Sequence, residues 1–253
     1  MIVKKTRKIS VLKIFKVSLN MLRITFTGND LLDFPENENG GYVKFLFKSK
    51  NSKTSLVRPY TIRDFRKKKL ELDIDFALHG NNKGYASAWA MRAKVGEKIF
   101  ISGPGPKSIL NPNSNWFIFI GDMSSLPAVS AHLEKLPSKS RGYAMIEILS
   151  KEDKQILKKP KNFKVHWLVN KDPAKNSSKL FEMVKLFEGL DENPFIWVAC
   201  EFNTMKKLRF FFKNEQKVKK ENIYISSYWK SGLNQEAHKI IKKNDSLKWS
   251  ETG

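Results

Sequence analysis

Hydrophobic and polar residues alternate in short runs through the first hundred positions of the chain, the mark of strands with one buried face. Residues 9–15 and 21–26 alternate with polar partners, residues 42–47 form a compact aromatic and β-branched run, and residues 70–76 read Leu-Glu-Leu-Asp-Ile-Asp-Phe. Turn signals at Gly28-Asn29-Asp30, at positions 35–41 and at Asn81-Asn82-Lys83-Gly84 separate them. Several short strands punctuated in this way predict a small antiparallel β-barrel. One helix interrupts the pattern, over residues 86–93 (Ala-Ser-Ala-Trp-Ala-Met-Arg-Ala), where helix formers follow Gly84.

The pattern changes after Gly103-Pro104-Gly105-Pro106 and Asn111-Pro112-Asn113. Residues 116–120, 142–149, 163–169, 195–199 and 223–228 are near-continuous apolar runs of the buried-strand type, and helical stretches over 124–136, 178–188, 204–213 and 234–243 lie between most of them. Strand–helix alternation predicts a parallel sheet covered on both faces. The expected organisation is an N-terminal antiparallel β-barrel over residues 1–112, followed by a doubly wound parallel-sheet nucleotide-binding domain over residues 113–253.

Composition changes this picture little. At 253 residues the chain suits two domains, and 41% hydrophobic content supplies cores despite 28% charged residues. The net charge of +22 is extreme but spread out, with 22 basic against 9 acidic residues up to Pro112 and 25 against 16 beyond it. A charge so distributed, without a recognised nucleic-acid motif, describes a solvated surface that steers anionic ligands. A basic nucleic-acid-binding module would rest on that charge alone, and no nucleic-acid partner is expected. Cys200 is the only cysteine, so an intramolecular disulfide, a Cys-rich zinc site and a thiolate-held iron–sulfur cluster are excluded within one chain, and redox chemistry would need a borrowed cofactor. Lys8, Lys13, Lys16 and Arg23 break every early apolar run, and no stretch approaches the roughly 18 apolar residues of a membrane span. A soluble, cytoplasmic, monomeric protein is the expectation.

Three segments carry candidate chemistry. In Arg58-Pro59-Tyr60-Thr61-Ile62-Arg63, an extended chain puts Arg58, Tyr60 and Ile62 on one face and Thr61 and Arg63 on the other. The forked guanidinium of Arg58 suits a pyrophosphate, while Tyr60 and Thr61 suit a flavin ring and its edge; an edge strand with Pro59 and a half-exposed aromatic is the plainer alternative. The second segment runs from Asp75 through His79 to Ala86 and Ser87, a strand end followed by a turn and a helix start whose backbone N–H groups can hold a phosphate. His79 has no second histidine at metal spacing and is assigned to flavin contact, with a structural hydrogen bond as the alternative. The third is Gly121-Asp122-Met123-Ser124-Ser125, which closes the first strand of the sheet and opens a helix at its switch point.

Together with Trp197-Val198-Ala199-Cys200-Glu201 and Tyr228-Trp229-Lys230-Ser231-Gly232, these segments resemble, in order and position over nearly the whole chain, the siderophore-interacting proteins, the FAD-binding ferric-siderophore reductases. The resemblance implies FAD held through Arg58, Tyr60, Thr61, Asp75, His79, Ala86 and Ser87. NADH or NADPH would approach, or the flavin face would be met, at Gly121, Asp122, Ser124, Ser125, Glu201, Tyr228 and Trp229. It implies no catalytic side chain and no protein-bound metal, because a flavin converts a two-electron donor to a one-electron acceptor. An anionic ferric siderophore would meet Lys44 and Lys230, with Arg63 as a third candidate, although both lysines suit a solvated surface equally well. Three positions depart from the family pattern: Met123 stands where an acidic residue is usual, Cys200 where Gly is usual, and Lys230 where Arg is common. A general flavin or ferredoxin-type reductase with another acceptor is the alternative on the same plan.

Overall fold

The alternation read in the first hundred residues folds into six antiparallel strands: β1 (Thr6–Ser18), β2 (Met21–Thr27), β3 (Tyr42–Phe47), β4 (Leu56–Arg66), β5 (Glu71–Ala77) and β6 (Lys98–Gly105). They close into a barrel in the order β1-β2-β5-β4-β3-β6. The computed structural model describes residues 5–47, 56–78, 84–107, 110–187 and 193–251, so His79 and the turn signal at Asn81-Asn82-Lys83 lie outside the described residues. Two strands depart from local signals in the sequence, one of them from the alternative reading of an edge at Pro59. The segment carrying Pro59 is no edge, since β4 pairs with β3 on one side and β5 on the other. Gly103-Pro104-Gly105, expected to mark the boundary, lies within β6, which turns Ile99 and Ile101 into the core and closes the barrel between β3 and β1. Gly105 lies on the ring of Tyr42, where an added Cβ would come within 2.1 Å of ring carbon.

Inward-facing Phe26, Phe45 and Phe76 meet Trp89, delivered from α1 (Tyr85–Arg92); Phe26 and Trp89 stack at 6.3 Å, and Phe76 lies 6.0 Å from Trp89. Burying such rings is the main favourable contribution to a small barrel core. On the outer wall, β5 turns out Asp73 and Asp75, both buried under arginines: Arg66 binds Asp64, Glu71 and Asp73, and Arg23 binds Asp75 through two bonds of 2.5 and 2.8 Å.

The parallel strands follow: β7 (Trp116–Gly121), β8 (Arg141–Ile148), β9 (Phe163–Val169), β10 (Phe195–Glu201) and β11 (Ile223–Trp229), in sheet order β11-β10-β7-β8-β9. The helices are α2 (Leu126–Lys135), α3 (Lys179–Lys185), α4 (Phe202–Phe210) and α5 (Gln235–Glu251). The chain divides into two compact units, Met1–Ser108 with Leu126–Leu136 and Ser150–Lys159, and Ile109–Ser125 with Pro137–Leu149 and Pro160–Gly253. Two returns of the chain thus complete the barrel unit. Glu134 of α2 binds Arg63 of β4 at 2.5 and 3.1 Å. The fully buried Asp153 accepts from the Ser18 hydroxyl and from the backbone and side-chain N–H of Asn20, at 2.9, 2.7 and 2.8 Å. In the second unit, α3 and α4 pack Leu180, Val184, Met205 and Leu208 on Ile118, Ile120, Met145, Ile196 and Val198 of the sheet.

Candidate functional site

Strand order reverses between β7 and β10, and the crevice beyond their carboxyl ends is where open α/β sheets take ligands. Asp122 follows β7 there and is 5% exposed. Its Oδ1 accepts the Ser124 N–H at 2.9 Å and the Ser124 hydroxyl at 2.5 Å, and its Oδ2 accepts the indole N–H of Trp229, at the end of β11, at 2.8 Å. The Asp122 N–H donates to the Ser125 hydroxyl at 3.0 Å, and an added Cβ on Gly121 would lie 2.2 Å from that hydroxyl. Burial pushes the Asp122 carboxyl above its ordinary range, against the hydrogen bonds from Ser124 and Trp229.

Glu201 ends β10 and caps α4. Its Oε2 accepts the N–H groups of Asn203 and Thr204 at 2.5 and 3.1 Å, and its Oε1 accepts the Ser231 N–H at 3.2 Å. One carboxylate, 3% exposed, therefore ties the start of α4 to the turn after β11. Within that turn the Lys230 ammonium donates to Asn203 Oδ1 at 3.0 Å and lies 4.9 Å over the ring of Phe202. Tyr228 packs edge-on to Trp197 at 6.4 Å, and burial raises its phenol far above the usual value.

One residue that sequence reading missed, Glu147, completes the acidic floor. Glu147 of β8 is 7% exposed and accepts from the Asn170 side chain at 2.8 Å; burial pushes its carboxyl up to about 7, with Asp122 and Glu201 adding to the effect. The signal was present, a lone carboxylate in the apolar strand Ala144-Met145-Ile146-Glu147-Ile148. Cys200 is buried beside the three carboxylates, and burial first, then their charges, keeps its thiol protonated. Met123, at another departure from the family pattern, is also buried.

The barrel unit sorts its candidates onto two faces. Tyr60 turns toward the core, 4.4 Å from Phe76, and burial raises its phenol. Arg58 stands opposite Phe45, two positions along from the pairing of Leu56 with Phe47, and Phe47 packs at 5.5 Å on Tyr85, the first residue of α1. Arg58 and the start of α1 thus share one end of the barrel. Ala86 and Ser87 are buried in the first turn of α1, with the Ser87 hydroxyl donating to Gly84 O at 2.9 Å. Thr61 is buried, and Lys44 lies on β3 between the core residues Val43 and Phe45. Asp75 and Arg63 are drawn into a different set, with Arg63 on Glu134 and its Nε 4.0 Å from Asp75, which Arg23 holds from the other side.

Arg58 supplies a guanidinium and the first turn of α1 supplies helix-start amides, groups of the kind that hold a pyrophosphate. At the helix starts of the sheet the protein supplies its own acceptors. The Ser124 N–H is taken by Asp122, and those of Asn203 and Thr204 by Glu201, so these amides are occupied by the protein's own carboxylates.

Known proteins place these observations. The family described as "Siderophore-interacting FAD-binding domain" matches residues 10–56 and 49–108, and that described as "Siderophore-interacting protein" matches residues 114–232. The ferric vibriobactin reductase ViuB of Vibrio cholerae is 35% identical over 243 residues, 88% of each chain. The NADPH-dependent ferric-chelate reductase of Escherichia coli K12 is 24% identical over 242 residues, 88% of this chain and 92% of that one. Among solved structures, the siderophore-interacting protein SipS from Aeromonas hydrophila matches with a TM-score of 0.86 at 29% identity, over 96% of this chain and 98% of that one.

Proposed function

The chain belongs to the siderophore-interacting protein family, and on that footing we propose that it is a flavin-dependent reductase passing electrons from NADH or NADPH to iron(III) held by a siderophore. The observation that carries the reading is the match of the family's two consecutive parts to this chain's barrel and sheet, with a relative 35% identical along 88% of the length. FAD, when bound, accepts two electrons from the nicotinamide and releases them one at a time to iron. Reduction loosens the complex because hard oxygen ligands favour iron(III) over iron(II).

In this reading residues 1–112 bind FAD and residues 113–253 receive the nicotinamide. Arg58 and the first turn of α1, with Ala86 and Ser87, hold the pyrophosphate, while Tyr60 and Thr61 meet the ring and its edge. The Asp122 and Glu201 network fixes Trp229 and the turn carrying Lys230. Lys44 and Lys230 attract the anionic siderophore complex, and the net charge of +22 concentrates it around the protein. The protein acts in the cytoplasm as a monomer. No helix among the described residues is long and apolar enough to cross a membrane.

The test is a visible spectrum of the purified protein, followed by anaerobic addition of NADH, NADPH and a ferric siderophore, with iron(II) trapped by a chromogenic chelator. A flavin spectrum that bleaches with the donor and recovers with the siderophore is expected. A colourless protein that also fails to take up added FAD would overturn the reading, as would bleaching without iron(II) release.

A further inference from the structure

The ammonium of Lys230 is held by two groups with no net charge, the side-chain oxygen of Asn203 at 3.0 Å and the face of Phe202 at 4.9 Å. The backbone on either side is fixed as well, since Trp229 donates its indole N–H to Asp122 and the Ser231 N–H donates to Glu201. Asn203 is itself anchored, because its N–H donates to Glu201 at the start of α4 while its residue surface stays exposed. A lysine with four rotatable bonds normally loses much of its rotamer freedom when it captures a ligand. Here that loss has already occurred in folding, and a neutral amide holds the head without cancelling its charge, as an aspartate would.

We infer that Asn203, with the Phe202 ring, is a positioning residue that aims the Lys230 ammonium at an anionic ferric complex. The inference rests on the proposed role of Lys230 in siderophore capture. Pre-ordering a flexible cation favours binding of the anion and leaves the electron-transfer step untouched. Loss of the Asn203 amide therefore appears in KM for a charged complex, whereas KM for an uncharged complex stays the same.

The experiment uses the full FAD-loaded protein and four variants: Asn203→Ala, Asn203→Asp, Lys230→Ala and the Asn203→Ala/Lys230→Ala double variant. Initial rates are measured with a ferric tris-catecholate and a neutral ferric trihydroxamate, while the flavin absorbance and its anaerobic bleaching by the nicotinamide donor report flavin loading and donor use. Asn203→Ala is expected to raise KM for the tris-catecholate about three- to tenfold with kcat retained and the trihydroxamate KM unmoved. Asn203→Asp should raise it at least as far, because it neutralises the ammonium it holds. Once Lys230 is alanine, adding Asn203→Ala should change nothing. An unchanged KM in Asn203→Ala beside a raised one in Lys230→Ala overturns the positioning role and leaves the role of Lys230 standing. An equal Asn203 effect in both Lys230 backgrounds overturns it too. If Lys230→Ala leaves the tris-catecholate KM at the parent value, the reading of Lys230 fails, and the positioning role falls with it.

Discussion

Glutamine at position 201 would remove one oxygen from a buried carboxylate that closes three backbone hydrogen bonds. In Glu201→Gln the remaining oxygen can stay on the Asn203 and Thr204 N–H groups, keeping the cap of α4. The new amide then faces the Ser231 N–H, now 3.2 Å from Oε1, and two donors oppose each other. Losing a charge-assisted bond to a buried donor costs about 1.5–3 kcal/mol. Losing the negative charge at a helix N-terminus adds about 0.3–1 kcal/mol. The total is about 2–4 kcal/mol, and in a chain of this size each kcal/mol is worth about 2–4 °C, so the melting temperature should fall by roughly 4–16 °C. Thermal unfolding of the FAD-free protein, followed by circular dichroism, measures it. Siderophore KM should rise in the same variant, because the turn bearing Lys230 is released from β10. A glutamine variant melting within about 2 °C of the parent with unchanged KM would refute the claim that Glu201 ties α4 to that turn.

Other outcomes follow from single residues. The Glu147 carboxyl keeps its proton to about pH 7 in the folded protein, against 4.5 ordinarily, so between those values the folded state binds more protons and stability falls as pH rises. Glu147→Gln keeps the Asn170 bond and should flatten that decline, worth on the order of 3 kcal/mol between pH 4.5 and 7; denaturant melts at pH 5 and pH 8 that move in parallel with the parent would count against it. Burial alone would raise the Asp73 carboxyl, but hydrogen bonds from Arg66 and Thr25 outweigh it and hold it low. Arg66→Ala should therefore cost about 2–3 kcal/mol at pH 7, a deficit that shrinks as pH falls and Asp73 is protonated, and a constant deficit down to pH 3 would contradict this. Gly121→Ala must displace the Ser125 hydroxyl and break its bond from the Asp122 N–H, lowering urea stability by about 1–2 kcal/mol while FAD uptake, which involves the barrel, is retained.

Much of the architecture was legible because its physics is local. Alternation in residues 70–76 became β5, and the apolar runs at 116–120 and 195–199 became β7 and β10. The misses have physical reasons. Residues 98–105 alternate Lys-Ile-Phe-Ile-Ser before Gly-Pro-Gly, and the turn signal hid a strand whose Gly105 is needed to accommodate Tyr42. The Pro59 signal suggested an edge, but barrel closure, a tertiary event, gives β4 partners on both sides. At the site, Asp122, Ser124 and Ser125 could be read from a strand-to-helix turn, but the bond that the Trp229 indole donates to Asp122 spans 107 residues and leaves no local trace. Glu201, given by the resemblance as a nicotinamide contact, also caps α4 through the Asn203 and Thr204 N–H groups, a role its place in the motif did not announce. Asn203 carries no sequence signal at all; only the fold brings it to Lys230.

The two returns of the chain to the barrel, through α2 and through the stretch carrying Asp153, mean that no single cut separates the halves. A gene fragment ending near Pro112 would encode all six barrel strands yet omit the carboxylates that engage Arg63 and the β1–β2 hairpin. Shuffling or swapping such modules between relatives would therefore have to carry residues 126–136 and 150–159 along with the barrel.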